Sequence, residues 1–407
     1  MPELVIARIV ADESLSVPEK EDRVAEALRG LPGLGAEEAA RTIADGDPLA
    51  VAFGAVYLAV LPGHLDVKRR SVEHVLRHRP DRLDDLSRLV RFVDRTTADE
   101  IMRRCLEDPV AHANALAEAA EAFPDVLRAH RDKVKGTVEA AMWPGAPMDW
   151  LDSALKTWHE THDVAVLEKV SFIRTDDARE ALVGLRDEVP PDDSDLYEVL
   201  VENAGVFPET GEQSVYPRTL MGLVGDRDTS PHHMGAAYGP TVPVCPTCER
   251  PAVRVLTLAR GALPFEVQAA ADPSLFWFPC DCEALEYLHA HVTPDGVQGV
   301  MTEVGPPDDS QDWLPGRLAL ELHDNPNQFG MATDAFPGFG AHQAGGYPPW
   351  VEADRFPHCG VCGRSTRFLA SVDSGLTAFG RMPFSGILYG FWCERCSVSV
   401  TFEQRLT

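Results

Sequence analysis

The sequence predicts an α+β protein in which an all-α helical domain precedes two tandem zinc-stabilised β-rich modules. In the first half of the chain, apolar residues recur at helical spacing. In the second half, aromatic and β-branched segments predict strands, and eight of the nine cysteines lie there, between Cys245 and Cys396. We therefore expect an α-helical domain at residues 1–205, a first module at 206–302 and a second module at 303–407.

Short helical patterns follow one another through residues 1–205, and Gly or Pro ends most of them. Glu19–Leu31, Leu83–Val93 and Leu196–Ala204 are three of these predicted helices. The longest apolar run, Leu49–Leu61, is too short to span a bilayer and predicts a buried helix. A succession of helices of this kind favours a HEAT-like stack or a helical bundle.

The eight clustered cysteines form four close pairs, three of the form Cys-x-x-Cys and one of the form Cys-x-Cys. Two cysteines at such spacing can turn both sulfurs toward one point, and two such turns complete a tetrahedron of thiolates. That is the geometry of a structural zinc site. Grouped in chain order, the predicted zinc ligands are Cys245, Cys248, Cys280 and Cys282 for one ion, and Cys359, Cys362, Cys393 and Cys396 for the other.

Other uses of these cysteines fit less well. Disulfides would need an oxidising compartment, whereas the chain opens on the acidic Met1-Pro2-Glu3 without a secretion signal. Redox proteins of the thioredoxin type rarely carry four such pairs. An iron–sulfur cluster also uses four thiolates and stays open as an alternative. A catalytic zinc is disfavoured because four thiolates leave no free position for water.

The two sets of cysteines look like copies of one unit. His232-His233-Met234-Gly235 resembles His342-Gln343-Ala344-Gly345, and Leu275–Cys280 lines up with Leu388–Cys393. The aromatic segment before each later cysteine pair predicts a strand, as does the apolar run after each first pair. The repeat period of roughly a hundred residues exceeds that of solenoid repeats and predicts two small domains.

The formal net charge of −27 constrains the partner. Nucleic acid binding depends on Lys and Arg that neutralise phosphates, and the chain has 37 of these residues against 64 Asp and Glu. A basic protein partner suits this field, and a nucleic acid does not. Because no transmembrane or lipidation signal is evident, we expect no membrane partner and predict a cytoplasmic location.

The segment around the second set of cysteines resembles two related families. His342-Gln343, the run Gly345–Pro348 and Asp354 resemble the pattern of the bacterial YwqG-like domain family. Gly345–Trp350 and the Cys359–Gly363 knuckle are similar to the programmed-cell-death-2-like zinc proteins. The likeness covers residues 335–405 well, residues 232–285 weakly and the helical half not at all. The first resemblance implies no settled activity but suggests immunity roles, and the second implies chaperones of a basic ribosomal protein.

These observations predict a non-enzymatic cytoplasmic zinc protein that acts as a protein-interaction module, a chaperone or an adaptor for a basic protein. One alternative is an immunity protein that neutralises a toxin. Another is a hydrolase with His232, His233 or His342 as its base, although no nucleophile–base–orienter set can be assembled from local spacing. His159 and His162 stand three apart in the chain, and the metalloprotease motif needs histidines four apart.

Overall fold

The computed structural model describes residues 5–226, 228–235, 240–280, 282, 285–307, 317–325, 342–351 and 356–405. Within these residues the chain divides into two compact units, of which the first runs to Gln213 and the second begins at Ser214. The first unit is helical and the second is built on an antiparallel sheet. The predicted α+β class, with helices preceding two modules that each carry four cysteines, is confirmed.

The α-helices of the described residues all belong to the first unit. They are α1 (Val5–Val10), α2 (Val17–Arg29), α3 (Ala36–Asp45), α4 (Pro48–Val60), α5 (Leu65–His78), α6 (Arg95–Cys105), α7 (Ala113–Ala122), α8 (Pro124–Ala129), α9 (Met148–Thr161), α10 (Val164–Ile173), α11 (Asp176–Gly184) and α12 (Ser194–Asn203). The 3-10 helices are Pro32–Gly35, Pro80–Phe92, Gly136–Met142, Arg186–Glu188 and Pro191–Asp193 in the first unit and Arg260–Ala262 in the second. None of the described helices has the length and apolar character needed to cross a bilayer.

The run predicted as a buried helix is α4, which forms the centre of the first helices. Asp47 caps it by accepting the backbone N–H groups of Leu49 and Ala50, each at 3.0 Å, which satisfies donors that have no partner within the helix. Most of its side chains are buried, and the hydroxyl of the buried Tyr57 donates to the carbonyl of Leu34 at 2.8 Å. Helix α4 is thus apolar all round because other helices surround it.

The segment predicted as the helix Leu83–Val93 is a 3-10 helix that spans Pro80–Phe92. Four of its five buried apolar residues recur at every third position, at Leu83, Leu86, Leu89 and Phe92, and the fifth is Val90. A 3-10 helix has three residues per turn, so this spacing places all four side chains on one line facing the core. An α-helix would rotate the same residues progressively out of the core.

The strands lie in the second unit, and eleven of the described strands form one antiparallel sheet. They are β1 (Leu220–Gly225), β2 (His233–Met234), β3 (Val242–Pro243), β4 (Val253–Thr257), β5 (Ser274–Trp277), β6 (Leu288–Thr293), β7 (Gly296–Gly299), β8 (Val304–Gly305), β9 (Leu318–Asp324), β10 (His342–Ala344), β11 (Arg367–Asp373), β12 (Leu376–Thr377), β13 (Gly380–Arg381), β14 (Ile387–Cys393) and β15 (Val398–Gln404). The order in the main sheet is β5-β4-β2-β9-β1-β10-β11-β14-β15-β6-β7. Strands β12 and β13 pair with each other, as do β3 and β8.

Two central strands are exchanged between the predicted modules. Strand β1 belongs to the first module by chain position but pairs with β10 of the second. Strand β9 belongs to the second module but pairs with β2 of the first, and β1 and β9 pair with each other at the middle of the sheet. Both modules therefore lie in one compact unit, whereas the repeat period alone predicted two small domains.

The register of the sheet shows that the modules are equivalent in structure. Strand β4 pairs with β5 with a shift between Arg254 and Leu256. Strand β11 pairs with β14 with a shift at the corresponding residues, Phe368 and Ala370. A β-bulge at the same place in both copies bends both strand pairs alike, so the duplication seen in the sequence is also present in the backbone.

The bent sheet brings β5 of the first module against β14 of the second. Leu275 is buried, and its side chain lies over Gly390, where an added Cβ would stand 2.1 Å from Leu275 Cδ1. Trp392, also buried, donates its indole N–H to the carbonyl of Gln268 at 3.0 Å. The core of the second unit thus contains residues of both modules.

Replacing Leu275 and Gly390 tests this contact. Leu275→Ala is expected to destabilise the second unit by about 2–5 kcal/mol because it leaves a cavity in the core. Gly390→Ala is also expected to be destabilising, because its Cβ collides with the leucine side chain. The double variant should lose less stability than the sum of the two single losses. The shortened side chain at position 275 removes the collision, and the added Cβ at position 390 fills part of the cavity. Denaturant unfolding of the four proteins measures this cycle, and strictly additive losses would contradict the contact.

Candidate metal centres

The first cysteine pair of each module sits in the same backbone turn. The N–H of Cys245 donates to the carbonyl of Arg250 at 2.9 Å, and the N–H of Glu249 donates back to the carbonyl of Cys245 at 2.9 Å. Glu249 has a φ of 59°, a left-handed conformation that reverses the chain after Cys248. The turn directs both sulfurs of the pair to one side.

The second module repeats this turn residue for residue. The N–H of Cys359 donates to the carbonyl of Arg364 at 2.8 Å, and the N–H of Gly363 donates to the carbonyl of Cys359 at 2.8 Å. Gly363 has a φ of 69°, which a glycine adopts without strain. The N–H of Val361 also donates to the sulfur of Cys359 at 3.4 Å.

The later cysteine pairs are placed by the ends of strands. Cys393 is the last residue of β14, and the N–H of Cys396 donates to the carbonyl of Cys393 at 3.3 Å. Strand β5, by contrast, ends at Trp277, three residues before Cys280. By register, Trp277 corresponds to Trp392, because they pair with the equivalent residues of β4 and β11.

The alignment of Leu275–Cys280 with Leu388–Cys393 is therefore displaced by two residues in the structure. Phe276 corresponds to Phe391, and Phe278-Pro279 has no counterpart before Cys393. Matching the cysteines in the sequence hid this insertion. The strand register, which depends on contacts with another strand, reveals it.

The structure brings together both predicted sets of four cysteines. In each set, the four sulfur atoms lie within 4.8 Å of one another. Throughout the described residues no cysteine forms a disulfide. We call these sets the first and second four-cysteine groups. The first group consists of Cys245, Cys248, Cys280 and Cys282, and the second group of Cys359, Cys362, Cys393 and Cys396.

The separations of the sulfur atoms fit one metal ion per group. With zinc–sulfur bonds of about 2.3 Å, the sulfurs of a tetrahedral site stand about 3.8 Å apart. The sulfurs of Cys362 and Cys393 are 3.7 Å apart. A multi-iron cluster spreads its thiolates around several metal atoms and needs wider spacing. A disulfide would require about 2.05 Å. The donor set therefore suits a single thiophilic ion bound by four thiolates.

In each group, one cysteine has a pKa below the ordinary value of a thiol. The backbone N–H of Arg250, together with neighbouring sulfurs, lowers the pKa of Cys248 to about 7. Burial raises the pKa of Cys362, but the N–H of Arg364 and the sulfurs around it outweigh that effect and bring the pKa to about 7. Burial raises the pKa of Cys280 to about 12. The pKa values of Cys282, Cys393 and Cys396 are also raised, so metal binding at neutral pH must displace protons from these thiols and from Cys280.

The two histidines of the repeated motif have a structural role. Nδ1 of His232 accepts the backbone N–H of Ala259, and Nδ1 of His342 accepts that of Asp373, both at 3.1 Å. Burial lowers the pKa of both, and that of His342 to about 4. Each imidazole is thus neutral and fixes the end of a strand. In both positions this hydrogen bond occupies the lone pair of Nδ1.

The histidines near residue 160 also lack a shared site. His159 lies in the last turn of α9, and His162 caps that helix with a left-handed φ of 49°. His159 instead lies 3.4 Å from Glu188 across the surface. Among the described residues, the sets with metal-ligand geometry are the two four-cysteine groups. Asp354, part of the family pattern, lies outside the described residues.

Sequence reasoning missed one residue of the second group's surroundings, Glu394, which lies between Cys393 and Cys396. Its carboxylate accepts the hydroxyl of Tyr216 at 3.1 Å and the backbone N–H of Gln268 at 3.3 Å. Arg367 approaches it at 3.5 Å. Burial and the carboxylate of Glu394 together hold the pKa of Tyr216 well above its ordinary value. Nothing in the local sequence pairs these residues, because they are far apart in the chain.

Comparison with known proteins gives little further information. No protein-family model matches the chain, and neither does any solved structure. Over 177 residues the chain is 27% identical to the Salmonella typhimurium protein YpfL, which is described as uncharacterised. The match covers 42% of this chain, and the chain spans about two-fifths of the length of that curated relative. The resemblance to the YwqG-like and programmed-cell-death-2-like families stays a prediction.

Removing one cysteine ligand should reduce metal binding and destabilise the second unit, while the first unit stays folded. Cys359→Ser is expected to reduce bound metal from two ions to one per chain. It should also destabilise the whole second unit, because both modules share its sheet and a structural zinc site contributes about 10 kcal/mol. Metal analysis and limited proteolysis measure the two effects. Cys105→Ala, at the buried cysteine of the first unit, is the control and should keep both ions. Two ions retained in the serine variant would contradict the assignment.

The buried imidazole of His342 predicts a dependence of stability on pH. Its pKa of about 4 in the folded protein lies below the ordinary value of 6.5, so on lowering the pH the unfolded chain takes up this proton first. Stability should therefore fall between pH of about 6.5 and 4, by about 3 kcal/mol from this residue.

His342→Asn keeps an acceptor for the N–H of Asp373 and removes the titration. When the pH is lowered, the unfolding free energy of this variant should decrease less than that of the parent protein. Measuring both proteins at each pH gives the comparison. His342→Phe leaves that buried N–H without an acceptor and should cost about 1–3 kcal/mol even at neutral pH. An asparagine variant with the same acid sensitivity as the parent would refute the role given to this histidine.

Proposed function

We propose that the protein is a non-enzymatic zinc protein of the cytoplasm that binds a basic protein partner. The observation that carries this proposal is the pair of four-cysteine groups, in each of which the sulfurs lie within 4.8 Å of one another. Four thiolates around one zinc ion leave no coordination position for water or substrate. Such sites hold folds together, and the second unit would then be a zinc-stabilised scaffold.

Zinc is the ion proposed because its chemistry suits this donor set. Zinc accepts four thiolates in a tetrahedron and has no redox chemistry that would oxidise them. Thiols that must stay reduced to bind zinc suit the cytoplasm, where disulfides seldom persist.

The proposed partner follows from the charge. Residues 1–213 contain 43 acidic and 25 basic side chains, and residues 214–407 contain 21 and 12. Both halves therefore repel anions such as nucleic acids and attract cations at long range. Complementary charge increases the association rate and the specificity of binding more than it increases affinity. A basic protein is therefore the class of partner that this chain would bind.

A salt series tests the partner class. The full-length protein, isolated from its own cells with its bound metal, is expected to retain a basic protein. The affinity of that complex should fall several-fold between about 0.05 M and 0.5 M salt, as the screening length shrinks. Equilibrium binding with the isolated partner measures this change, and metal analysis of the same sample reports the zinc.

Two outcomes would refute this proposal. One is an acidic or nucleic acid partner, or an affinity that does not respond to salt. The other is a preparation in which the two four-cysteine groups bind no metal. Cys359→Ser serves as the matched variant, because it should impair binding only where the partner contacts the zinc-stabilised unit.

A further inference from the structure

The two four-cysteine groups differ in how far their sulfurs are shielded from solvent. In the first group, Cys248 is exposed, Cys245 is buried, and Cys280 and Cys282 are partly exposed. In the second group, Cys359 and Cys393 are buried, and the other two cysteines are only partly exposed. The first group thus includes one exposed cysteine, whereas each cysteine of the second group is at least partly buried.

The later cysteine pair of the second group is fixed by a loop of the first module, residues 264–271. The backbone N–H of Gln268 donates to Glu394 at 3.3 Å, and its carbonyl accepts the indole N–H of Trp392 at 3.0 Å. The N–H of Ala270 donates to the hydroxyl of Ser397 at 3.2 Å. Residues on both sides of Cys393 and Cys396 are therefore held from outside their own module.

The earlier cysteine pair of the second group is fixed by another strand of the first module. The N–H of Gly360, next to Cys359, donates to Nδ1 of His289 on β6 at 3.2 Å. The approach is close, since a Cβ at Gly360 would stand 3.2 Å from the same nitrogen and 3.3 Å from the side chain of Val300. Both halves of the second group thus depend on the first module for their position.

The first group is attached to the sheet in a different way. Its later cysteines follow β5 after the extra residues Phe278-Pro279, so that Cys280 lies outside the strand. A hydrogen bond from the guanidinium of Arg250 to the carbonyl of Pro279, at 2.9 Å and exposed, joins its two halves. Phe278 is buried, and Cys280 and Cys282 pack against the core, so the exposed ligand of this group is Cys248.

We propose that the first four-cysteine group is an exchangeable metal site and that the second is a permanent one. This inference depends on the proposed zinc function. Competing chelators or thiols would remove the metal of the first group while the sheet stays folded. Contacts beyond the ligands orient them and slow their release, and such contacts surround the second group. The first module would then respond to the supply of thiophilic metal.

Chelator challenge of the full-length metal-bound protein tests this inference. A chromophoric chelator in excess reports metal release, and N-ethylmaleimide added at intervals labels the cysteines that are set free. Two phases are expected, the faster by about tenfold or more. Peptide mapping should show Cys248 and Cys282 labelled with the fast phase, while Cys359 and Cys393 stay protected. Circular dichroism should show that the sheet persists after the fast phase.

Variants at neighbouring positions identify the cause of the difference. Glu394→Gln weakens the acceptor that holds Gln268 and Tyr216, and it should accelerate the slow phase about tenfold without changing the fast one. Arg395→Gln, at the exposed next residue in the same turn, is the matched control and should alter neither phase.

The results separate this inference from the function on which it depends. A protein that binds no metal would refute the proposed function, and the inference with it. Two ions released in one phase, or earliest labelling at Cys359 and Cys393, would refute the inference and leave the zinc protein intact. Unequal phases with unchanged release in Glu394→Gln would refute the part assigned to that carboxylate.

Discussion

The four cysteine sulfurs of each group lie within 4.8 Å of one another, and as thiolates they would repel strongly, so a charged group would need both a cation and a backbone that holds its ligands in place. The backbone contribution comes from two elements that are distant in the chain. A tight turn presents one pair of sulfurs, and the end of a strand presents the other. The pairing of β4 with β5, and of β11 with β14, brings turn and strand end together. The sheet thus positions the eight sulfurs, and a bound metal ion would offset the charge of the thiolates.

The exchange of β1 and β9 makes this dependence mutual between the modules. Strand β1 completes the sheet of the second module, and β9 completes that of the first. A module without its partner would expose the edge of β2 or of β10. The equivalent halves related across the β1–β9 pair resemble a dimer whose two subunits were joined into one chain. Such a dimer explains why the repeat is clear in sequence while the folded unit is single.

Local features of the structure could be predicted from the sequence, and long-range ones could not. The four-cysteine groups were predictable because each turn needs only neighbouring residues and the grouping follows chain order. Helix α4 was predictable because its continuous apolar run is longer than the apolar segments of an amphipathic surface helix. The 3-10 helix Pro80–Phe92 was misassigned since its leucines also fit a loosely read α-helical pattern. No local pattern encodes the strand exchange, nor the partners of Glu394, which lie 178 positions away at Tyr216 and 126 positions away at Gln268.

The spacers Cys-x-x-Cys and Cys-x-Cys both allow backbone N–H groups to reach sulfur. The N–H of Val361 donates to Cys359 in the first form. In the second form the N–H of Cys282 bonds to Cys280 and lowers the pKa of that thiol, although burial has the larger effect. The spacer alone therefore does not distinguish the two groups. The difference lies in exposure and in contacts between the modules, because Cys248 is exposed, whereas Gln268 and His289 of the first module bond to residues beside the ligands of the second group. An ion in the second group would thus be held by residues of both modules, although its four ligands come from one.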